Sequence, residues 1–427
     1  MNQQSKALPK ARLRSLFLAL AAAAWCAGLV SAGGCRKDKP AQKAAPDESL
    51  PLQTFARQWA TDLKLRGDAL EGLHVRDDQV YGYTEDGRVI ALARDSGAIQ
   101  FSRPIKGGRT LLHPPVVLNE KVELRGDQGP TAAVPVVIPT ATTLEVLDKT
   151  TGRFLRSVDL NFTVRSEAVG RGPILYMGGA YRGSSRAAAI DIRQPYVPVV
   201  WELMTPGGAV SAAPALQEDT VFFGGEDGSV YAVTTAGREP IWPTPGGVFR
   251  TGGPIVGDLA SDEQNVYVAS TDNKLYALNR NNGKIRWQYF GASSLRTGPS
   301  VTSDTVYQYV AGDGLVALDK ATGEYNRKPR WAAKDARQFL AQDGSNAYVR
   351  MRDNRIAALD KKTGEVRFTS GRRDLAVFCT NVLKEDGMIY AATKRGRIIA
   401  IRPVLKPGSV GEVVMLGSGE GFASEVE

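Results

Sequence analysis

Five aspartates at regular intervals are the first residues in this chain whose type and spacing could do chemistry. A Ca²⁺ ion needs about six to eight oxygen ligands that converge on one point. Each of these acids instead stands alone in its own segment, before a glycine or an asparagine, and such pairs favour tight hairpin turns. We therefore interpret the aspartates as turn residues and predict no metal site. The five are Asp86, Asp227, Asp272, Asp313 and Asp353.

Other residues that commonly catalyse reactions are few and scattered. The two histidines, His74 and His113, lack metal-ligand spacing, and the sequence has neither a nucleophile elbow nor a phosphate-binding glycine loop. Of the three cysteines, Cys26 and Cys35 fall in the N-terminal segment described next, which leaves Cys379 alone. We therefore predict no catalytic residue, no cofactor and no disulfide within the mature domain.

The first 34 residues have the pattern of an export signal. Four basic residues precede an apolar stretch over 16–30, and small residues follow it. The run Ala32-Gly33-Gly34-Cys35 resembles the bacterial lipobox, in which the cysteine is acylated and becomes the new N-terminus. We expect a lipoprotein signal peptide over 1–34, a lipid on Cys35 and a flexible tether over 35–54. Ordinary cleavage nearby, with Cys35 unmodified, is the alternative.

The residue after the cysteine bears on where the mature chain would reside. That residue is Arg36, and in the lipoproteins that this segment resembles the absence of Asp there implies the outer membrane, facing the periplasm.

The net charge bears on the class of partner. Loss of the signal with its four basic residues would lower the net charge from +9 to +5. A charge so mild and dispersed does not favour nucleic acid as a partner.

The remaining chain is built from one repeated pattern. Its clearest copy covers 266–287, VYVASTDNKLYALNRNNGKIRW, in which three short apolar runs alternate with two clusters of turn residues. An apolar residue before the second turn recurs every 40 to 45 residues, after a first interval of 55. This period is typical of β-propellers, so we predict an all-β, eight-bladed propeller of four-stranded blades over 55–403. The eight markers are Leu92, Leu147, Ile190, Val233, Leu278, Leu318, Leu359 and Ile401.

The two ends of the repeat array each have an incomplete unit. The last repeat, 389–401, is followed by Pro403 and Pro407 where the tryptophan-bearing strand should be, and Trp59 stands before the first full repeat. We therefore predict that N- and C-terminal segments share one blade and close the ring, which removes exposed sheet edges. We predict no structure for the 404–427 tail. The long first interval indicates a surface insertion over 119–134, either a partner loop or tolerated length.

The repeats carry a family resemblance. The pattern A-L-D-x-x-T-G-x-x-x-W, with Trp242, Trp287 and Trp331 in register, resembles the repeat of the pyrroloquinoline-quinone superfamily of eight-bladed propellers. One branch comprises quinoprotein dehydrogenases, which bind quinone and Ca²⁺ and have adjacent cysteines that this chain lacks. The other comprises BamB-like, cofactor-free scaffold lipoproteins of the outer-membrane β-barrel assembly machinery, whose lipobox, tether and length this chain resembles.

The scaffold branch implies a partner site. In that family a Ser-Leu-Arg loop between blades is implicated in docking on the barrel-forming subunit, and Ser294-Leu295-Arg296 matches it here. Phe249 and Arg250 are expected in the equivalent loop one blade earlier. An exposed Leu295 beside Arg296 would make an apolar plug with a bidentate donor. The alternative is that both Arg-Thr-Gly runs, 250–252 and 296–298, are repeat chemistry. Thr297 stands where the family has Gly, and the family's acidic pair in the next loop has no clear counterpart.

These observations lead to one expected function and two alternatives. The resemblance implies a non-catalytic scaffold lipoprotein that docks on the outer-membrane barrel-assembly machinery and aids folding and insertion of barrel proteins. Its partners would be the barrel-forming subunit and unfolded outer-membrane proteins, which could pair with a free strand edge. The alternatives are a quinoprotein-type, quinone-dependent oxidoreductase and a generic periplasmic protein-interaction propeller.

Overall fold

The computed structural model of the chain describes residues 53–105, 112–126, 129–196, 198–205, 208–237, 239–243, 247–323 and 328–405. All regular elements in these ranges are β-strands. The predicted signal peptide, Cys35, the tether up to residue 52 and the tail from 406 lie outside the described residues. No helix long and apolar enough to cross a membrane occurs within the described ranges.

Eight antiparallel sheets form a ring of blades, as the repeat predicted. The strand β1 (Gln53–Asp62) precedes the first complete blade. Blades 1 to 4 are as follows. Blade 1 holds β2 (Leu70–Arg76), β3 (Gln79–Thr84), β4 (Arg88–Ala93) and β5 (Ile99–Pro104). Blade 2 holds β6 (Val116–Val117), β9 (Pro135–Pro139), β10 (Thr143–Asp148) and β11 (Phe154–Asp159), and a separate hairpin of β7 (Val122–Gly126) and β8 (Gly129–Ala133) interrupts it. Blade 3 holds β12 (Thr163–Val164), β13 (Val169–Arg171), β14 (Ile174–Tyr181), β15 (Ser184–Asp191) and β16 (Val199–Thr205). Blade 4 holds β17 (Ala215–Gln217), β18 (Thr220–Gly224), β19 (Ser229–Thr234) and β20 (Val248–Arg250).

The second half of the ring repeats this order. Blade 5 holds β21 (Ala260–Ser261), β22 (Asn265–Ala269), β23 (Lys274–Asn279) and β24 (Ile285–Phe290). Blade 6 holds β25 (Ser300–Val301), β26 (Thr305–Val310), β27 (Gly314–Asp319) and β28 (Trp331–Ala333). Blade 7 holds β29 (Ala336–Gln342), β30 (Asn346–Met351), β31 (Ile356–Asp360) and β32 (Val366–Thr369). Blade 8 holds β33 (Val377–Phe378), β34 (Ile389–Ala392), β35 (Arg397–Leu405) and β1. First strands of neighbouring blades contact each other, for example β17 with β21 and β21 with β25, so they line the inside of the ring.

The ring is closed by the two ends of the repeat array, which confirms the prediction made from Trp59. Strand β1 pairs antiparallel with β35, and Trp59 lies opposite Ala400 in that register. The Trp59 side chain is buried against Tyr390, with ring centroids 6.0 Å apart. Its Nε1 donates a hydrogen bond to the Arg94 carbonyl oxygen of blade 1 at 2.8 Å. Blade 8 therefore takes its outermost strand from the N-terminal side of the array.

At several borders a tryptophan clamps one blade to the next. Trp287 of blade 5 donates from Nε1 to the carbonyl oxygen of Lys320 in blade 6 at 3.0 Å. Its ring lies flat on the turn that follows, where Gly323 has a φ of +77° and a Cβ would stand 2.5 Å from the indole. The same pairing joins Trp242 to Gly283 and Trp331 to Gly364. The aromatic and turn glycine of the repeat are thus the two halves of one inter-blade contact, called the clamp below.

An ion pair reinforces several clamps. The residue whose carbonyl oxygen accepts the tryptophan N–H also sends its side chain back to the preceding blade. Lys320 Nζ lies 3.0 Å from Asp262 Oδ2, and Lys361 Nζ lies 3.0 Å from Asp304 Oδ1. Arg280 Nη2 likewise lies 2.9 Å from Glu218 Oε2. Each of these residues therefore joins two blades through both its backbone and its side chain.

The regularly spaced aspartates act within hairpin turns, as predicted. Asp272 Oδ1 accepts a hydrogen bond from the Lys274 backbone N–H at 3.1 Å, and Asn273 between them has a φ of +70°. Asp227 and Asp353 accept from the backbone two residues ahead in the same way. Within the described residues no three His, Cys, Asp or Glu side chains come together to hold a metal ion.

The insertion over 119–134 forms a hairpin that packs on the ring. Strands β7 and β8 pair only with each other. Val122 and Leu124 are nonetheless buried, and they join the core shared by Val158 and Phe162 at the border of blades 2 and 3. The segment therefore adds apolar cover to that border, which its polar composition did not indicate.

The clamp leads to a prediction for Gly323. Gly323→Ala adds a Cβ both at positive φ and against the Trp287 ring, and we expect a loss of about 3 kcal/mol from strain plus overpacking. Gly312→Ala, at a φ of +99° with open space around it, is expected to lose only about 1 kcal/mol. The control Gly344→Ala has neither feature and should be neutral. Urea unfolding measures all three, and equal losses for Gly323→Ala and Gly312→Ala would contradict the clamp.

Candidate functional site

The predicted partner loop is the connection between β24 of blade 5 and β25 of blade 6. Neighbouring turns hold it in place through short hydrogen bonds. Ser293 Oγ donates to the Ala311 carbonyl oxygen at 2.7 Å, and Ser294 Oγ donates to the Thr271 carbonyl oxygen at 3.0 Å. Two serines thus tie the connection to the turns of both blades that it joins, so the side chains that follow are presented from a fixed backbone.

Leu295 is fully buried, so the expectation that it is an exposed apolar plug was wrong. Its side chain packs among Tyr289 and Val310, and its backbone N–H donates to the Ser270 carbonyl oxygen at 3.2 Å. The physical reason is that the connection must cross the open end of the blade 5–6 interface, where an apolar side chain fills the space between the sheets. Leu295 therefore fixes the loop by burying its side chain in the core, and it offers no surface to a partner.

Arg296 points the other way. It is exposed, and it has no hydrogen bond or ion pair with any described residue. One blade earlier the residue that corresponds to Leu295 is Ile255, because its backbone N–H makes the matching bond, to the Gly225 carbonyl oxygen at 3.2 Å, and it too is fully buried. Arg296 therefore corresponds to Val256. The two Arg-Thr-Gly runs are not equivalent, and Arg296 is not a repeat residue.

Phe249 and Arg250 lie in strand β20 and not in a loop equivalent to Ser294-Leu295-Arg296, as had been expected. Phe249 is half-buried and packs edge-on against Tyr276 at 5.4 Å between centroids. Arg250 Nη1 donates to Ser229 Oγ at 2.9 Å and lies 3.7 Å from Asp227 Oδ2. Phe249 thus packs across the blade 4–5 border, whereas the partners of Arg250 lie in blade 4 and its side chain remains largely exposed.

A second charged group was not anticipated from the sequence. Arg76, at the end of the innermost strand of blade 1, places Nη2 4.0 Å from Glu167 Oε2 of blade 3 and donates from Nε to the Pro115 carbonyl oxygen. Burial, with repulsion from Asp258, raises the pKa of Glu167 to about 7, against a partial opposing effect of Arg76. Arg76 and Glu167 lie 91 positions apart in sequence, and no local motif marks them.

The isolated histidines and the cysteine have no reactive neighbours in the described residues. His74 faces the Tyr83 ring at 5.5 Å, and burial beside Arg76 lowers its pKa to about 3, which keeps the imidazole neutral. Cys379 is buried, and desolvation raises the pKa of its thiol to about 12. Within the described ranges no three His, Cys, Asp or Glu side chains come together. The side chains there therefore do not fit the Ca²⁺ that accompanies a bound quinone.

Comparisons with known proteins agree with the repeat. The family described as outer membrane protein assembly factor BamB matches residues 52–289, 198–324 and 290–405. No curated protein sequence matches the chain. Among solved structures, BamB from Moraxella catarrhalis is 20% identical, with a TM-score of 0.60 over 82% of this chain and 98% of that one.

Two further structures share the fold. The computationally designed Ika8 protein is 15% identical, with a TM-score of 0.60 over 81% of this chain and 99% of that one. The quinohemoprotein alcohol dehydrogenase ADHIIG from Pseudomonas putida HK5 is 12% identical, with a TM-score of 0.57 over 87% of this chain and 78% of that one. At these identities the likeness concerns the fold alone.

The position of Glu167 leads to a prediction about pH. Its folded pKa is about 7 and its ordinary value 4.5, so between these values the folded chain keeps a proton that the unfolded chain has released. By linkage, the contribution of Glu167 to stability falls as pH rises through that window. The free energy of unfolding of the wild type minus that of Glu167→Gln should therefore decrease from pH 4.5 to 7. His74 is present in both proteins, so its own pH-dependent contribution to stability, which has the opposite sign, cancels in this difference. Parallel plots of unfolding free energy against pH for the two proteins would contradict the raised pKa of Glu167.

Proposed function

Because the chain belongs to the BamB family of outer membrane protein assembly factors, we propose that it is a non-catalytic scaffold that docks on the outer-membrane β-barrel assembly machinery. The observation that carries this proposal is the family match, which extends over almost all of the eight-bladed ring. The scaffold would aid the folding and insertion of barrel proteins. Its partner would be the barrel-forming subunit, with unfolded barrel proteins as further clients.

Docking is proposed to centre on Arg296. An exposed guanidinium without a described partner can form bidentate bonds to a carboxylate of another protein without first breaking a bond of its own. The rigid connection beneath it, fastened by Leu295, reduces the entropy lost on binding. Arg250 and Phe249 would contribute at the neighbouring blade border, where Arg250 is exposed.

The proposal of a scaffold is favoured over that of an oxidoreductase by the available donors. The sequence contains no adjacent cysteines, and the described residues contain no group of ligands suited to a metal. The dehydrogenase relative shares the ring of blades, but the fold of a propeller does not determine its function. The other alternative is a propeller that binds periplasmic proteins unrelated to barrel assembly, and co-purification with the assembly subunit distinguishes the two.

We further propose that the chain is a lipoprotein of the outer membrane, on the periplasmic face. The support is the lipobox-like run that ends at Cys35 and the Arg36 that follows it, both outside the described residues. Acyl chains contribute about 0.8 kcal/mol of membrane affinity per buried CH₂ group, so two or three chains anchor a protein stably.

A charge reversal at Arg296 tests docking. Arg296→Glu should reduce recovery of the barrel-forming subunit with the native lipoprotein by about tenfold, the usual effect of losing a central charged contact. The measurement is affinity purification from solubilised membranes with the subunit identified by mass spectrometry. The matched control is Arg153→Glu, an exposed arginine in a turn of blade 2. If the wild type brings down no barrel-assembly subunit, the proposed role should be abandoned.

A substitution at Cys35 tests the anchor. Cys35→Ser should move the chain from the membrane to the soluble fraction and remove the mass of the acyl groups from its N-terminal peptide. Cys379→Ser, at the buried free thiol, is the control and should leave both properties unchanged. An unmodified Cys35 in the wild-type peptide would exclude the lipoprotein assignment.

A further inference from the structure

A cavity of about 420 Å³ opens beside Arg296. Its wall is formed by the connection that carries Arg296, by the preceding connection over 256–258, by strands of blades 6 and 7, and by the start of blade 8. Two further arginines line it, Arg337 on β29 and Arg350 on β30, and Asp258 is its one acidic residue. We call this cavity the arginine pocket.

The positive charge of the arginine pocket is not neutralised by the described residues. Asp258 Oδ1 accepts a hydrogen bond from the Ala213 backbone N–H at 2.9 Å, so that oxygen is already engaged in joining blades 4 and 5. None of the three arginines has a carboxylate within ion-pair distance among the described residues. Two neutral contacts hold the inner pair: Arg337 donates to the Tyr309 hydroxyl, and Arg350 Nε donates to Asn354 Oδ1 at 2.9 Å.

Aromatic rings keep the two inner guanidinium groups in position. Arg337 lies over the Tyr309 ring at 5.5 Å, and Arg350 lies over the Phe378 ring at 4.9 Å. Such stacking leaves the edge of a guanidinium, with its N–H donors, free for a planar oxyanion. Desolvation lowers the pKa of Arg350, which is the expected effect of burying a cation without a counter-charge. An incoming anion would relieve that unfavourable state.

The apolar part of the arginine pocket narrows the choice of anion. Tyr307 and Phe339 line it and stack on each other, with centroids 4.2 Å apart and planes 12° apart. Both are almost fully buried, so the apolar surface that a ligand can reach belongs instead to the half-buried Val256 and Tyr309, which also line the cavity. A ligand that covers this surface must bring an apolar group next to its charge. A side-chain carboxylate beside an aromatic or aliphatic residue has this character, whereas a phosphate headgroup alone would leave the apolar wall uncovered.

We propose that the arginine pocket binds an acidic segment of a partner protein, in which a glutamate or aspartate stands next to an aromatic or apolar residue. The carboxylate would lie between Arg337 and Arg350, with Arg296 at the rim guiding its approach. The volume suits one or two side chains and not a folded element. This inference deepens the proposed function, because it names the chemistry of the segment that docks beside Arg296.

Peptide binding to the isolated chain tests the arginine pocket. The probes are a capped peptide with adjacent phenylalanine and glutamate and its glutamine analogue, measured by calorimetry at low and high salt. The glutamate peptide should bind at least tenfold more tightly than the analogue, and more weakly at high salt. Arg337→Gln and Arg350→Gln should each weaken it about tenfold, and Arg153→Gln should not.

Several results would overturn this inference. They are equal binding of the two peptides, no binding of either, or unchanged affinity in both inner-arginine variants. Tighter binding of inorganic phosphate or anionic vesicles, lost in the same variants, would assign the arginine pocket to a phosphate group instead. If an inner variant unfolds, Arg296→Gln decides, because that side chain is exposed: loss of affinity supports the inference and unchanged affinity opposes it.

Co-purification separates this inference from the proposed function. Peptide binding without recovery of a barrel-assembly subunit would retain the arginine pocket and remove the assembly role. Recovery of the subunit by a chain that does not bind the peptide would retain the assembly role and remove the arginine pocket as the docking site.

Discussion

Blades 4, 5, 6 and 8 are each held to the next blade by a tryptophan ring that lies on a glycine, and in blade 1 Phe101 takes the same place against Gly152. A single four-stranded sheet cannot bury both of its faces, so its stability comes from its neighbours. The clamp solves the geometry of that contact: the indole covers the turn of the next blade, its N–H satisfies a carbonyl oxygen there, and only glycine leaves room for the ring. The ion pairs made by Lys320 and Lys361 act at the same turns. The spacing of these blades, and with it the position of the loops that connect them, depends on this contact.

The candidate docking surface follows from that regularity. Leu295 and Ile255 close the open ends of successive blade interfaces, and the residue after each follows a backbone held by the same hydrogen bond. At one border that residue is Val256 and at the next it is Arg296. One repeated backbone position can therefore carry an apolar side chain at one blade border and a charged, exposed side chain at the next, without any change in the fold. The arginine pocket lies beside the second of these borders.

Much of the fold could be predicted from sequence, and much less of the site. The period of the markers and the isolated Trp59 were sufficient for blade number and ring closure, because both depend on local turn chemistry and on which strand is missing. The burial of Leu295 could not be read locally, since Arg250-Thr251-Gly252 and Arg296-Thr297-Gly298 look alike yet occupy different registers. No sequence pattern marks Arg337 and Arg350, because they come close to Arg296 only in the folded ring. The packed hairpin at 122–133 was missed because its buried Val122 and Leu124 alternate with polar residues.

The pairing of β1 with β35 also limits the order in which the ring can form. The chain is made from its N-terminus, so β1 is the first strand of the ring to appear, yet its partner is the last. Until residues 397–405 are available, β1 has no ladder to join, and the sides of blades 1 and 7 that face blade 8 remain uncovered. Long-range strand pairing of this kind is slow, and its open intermediates are prone to aggregate. Closure of the ring must therefore wait for residues 397–405, the last of its strands to become available.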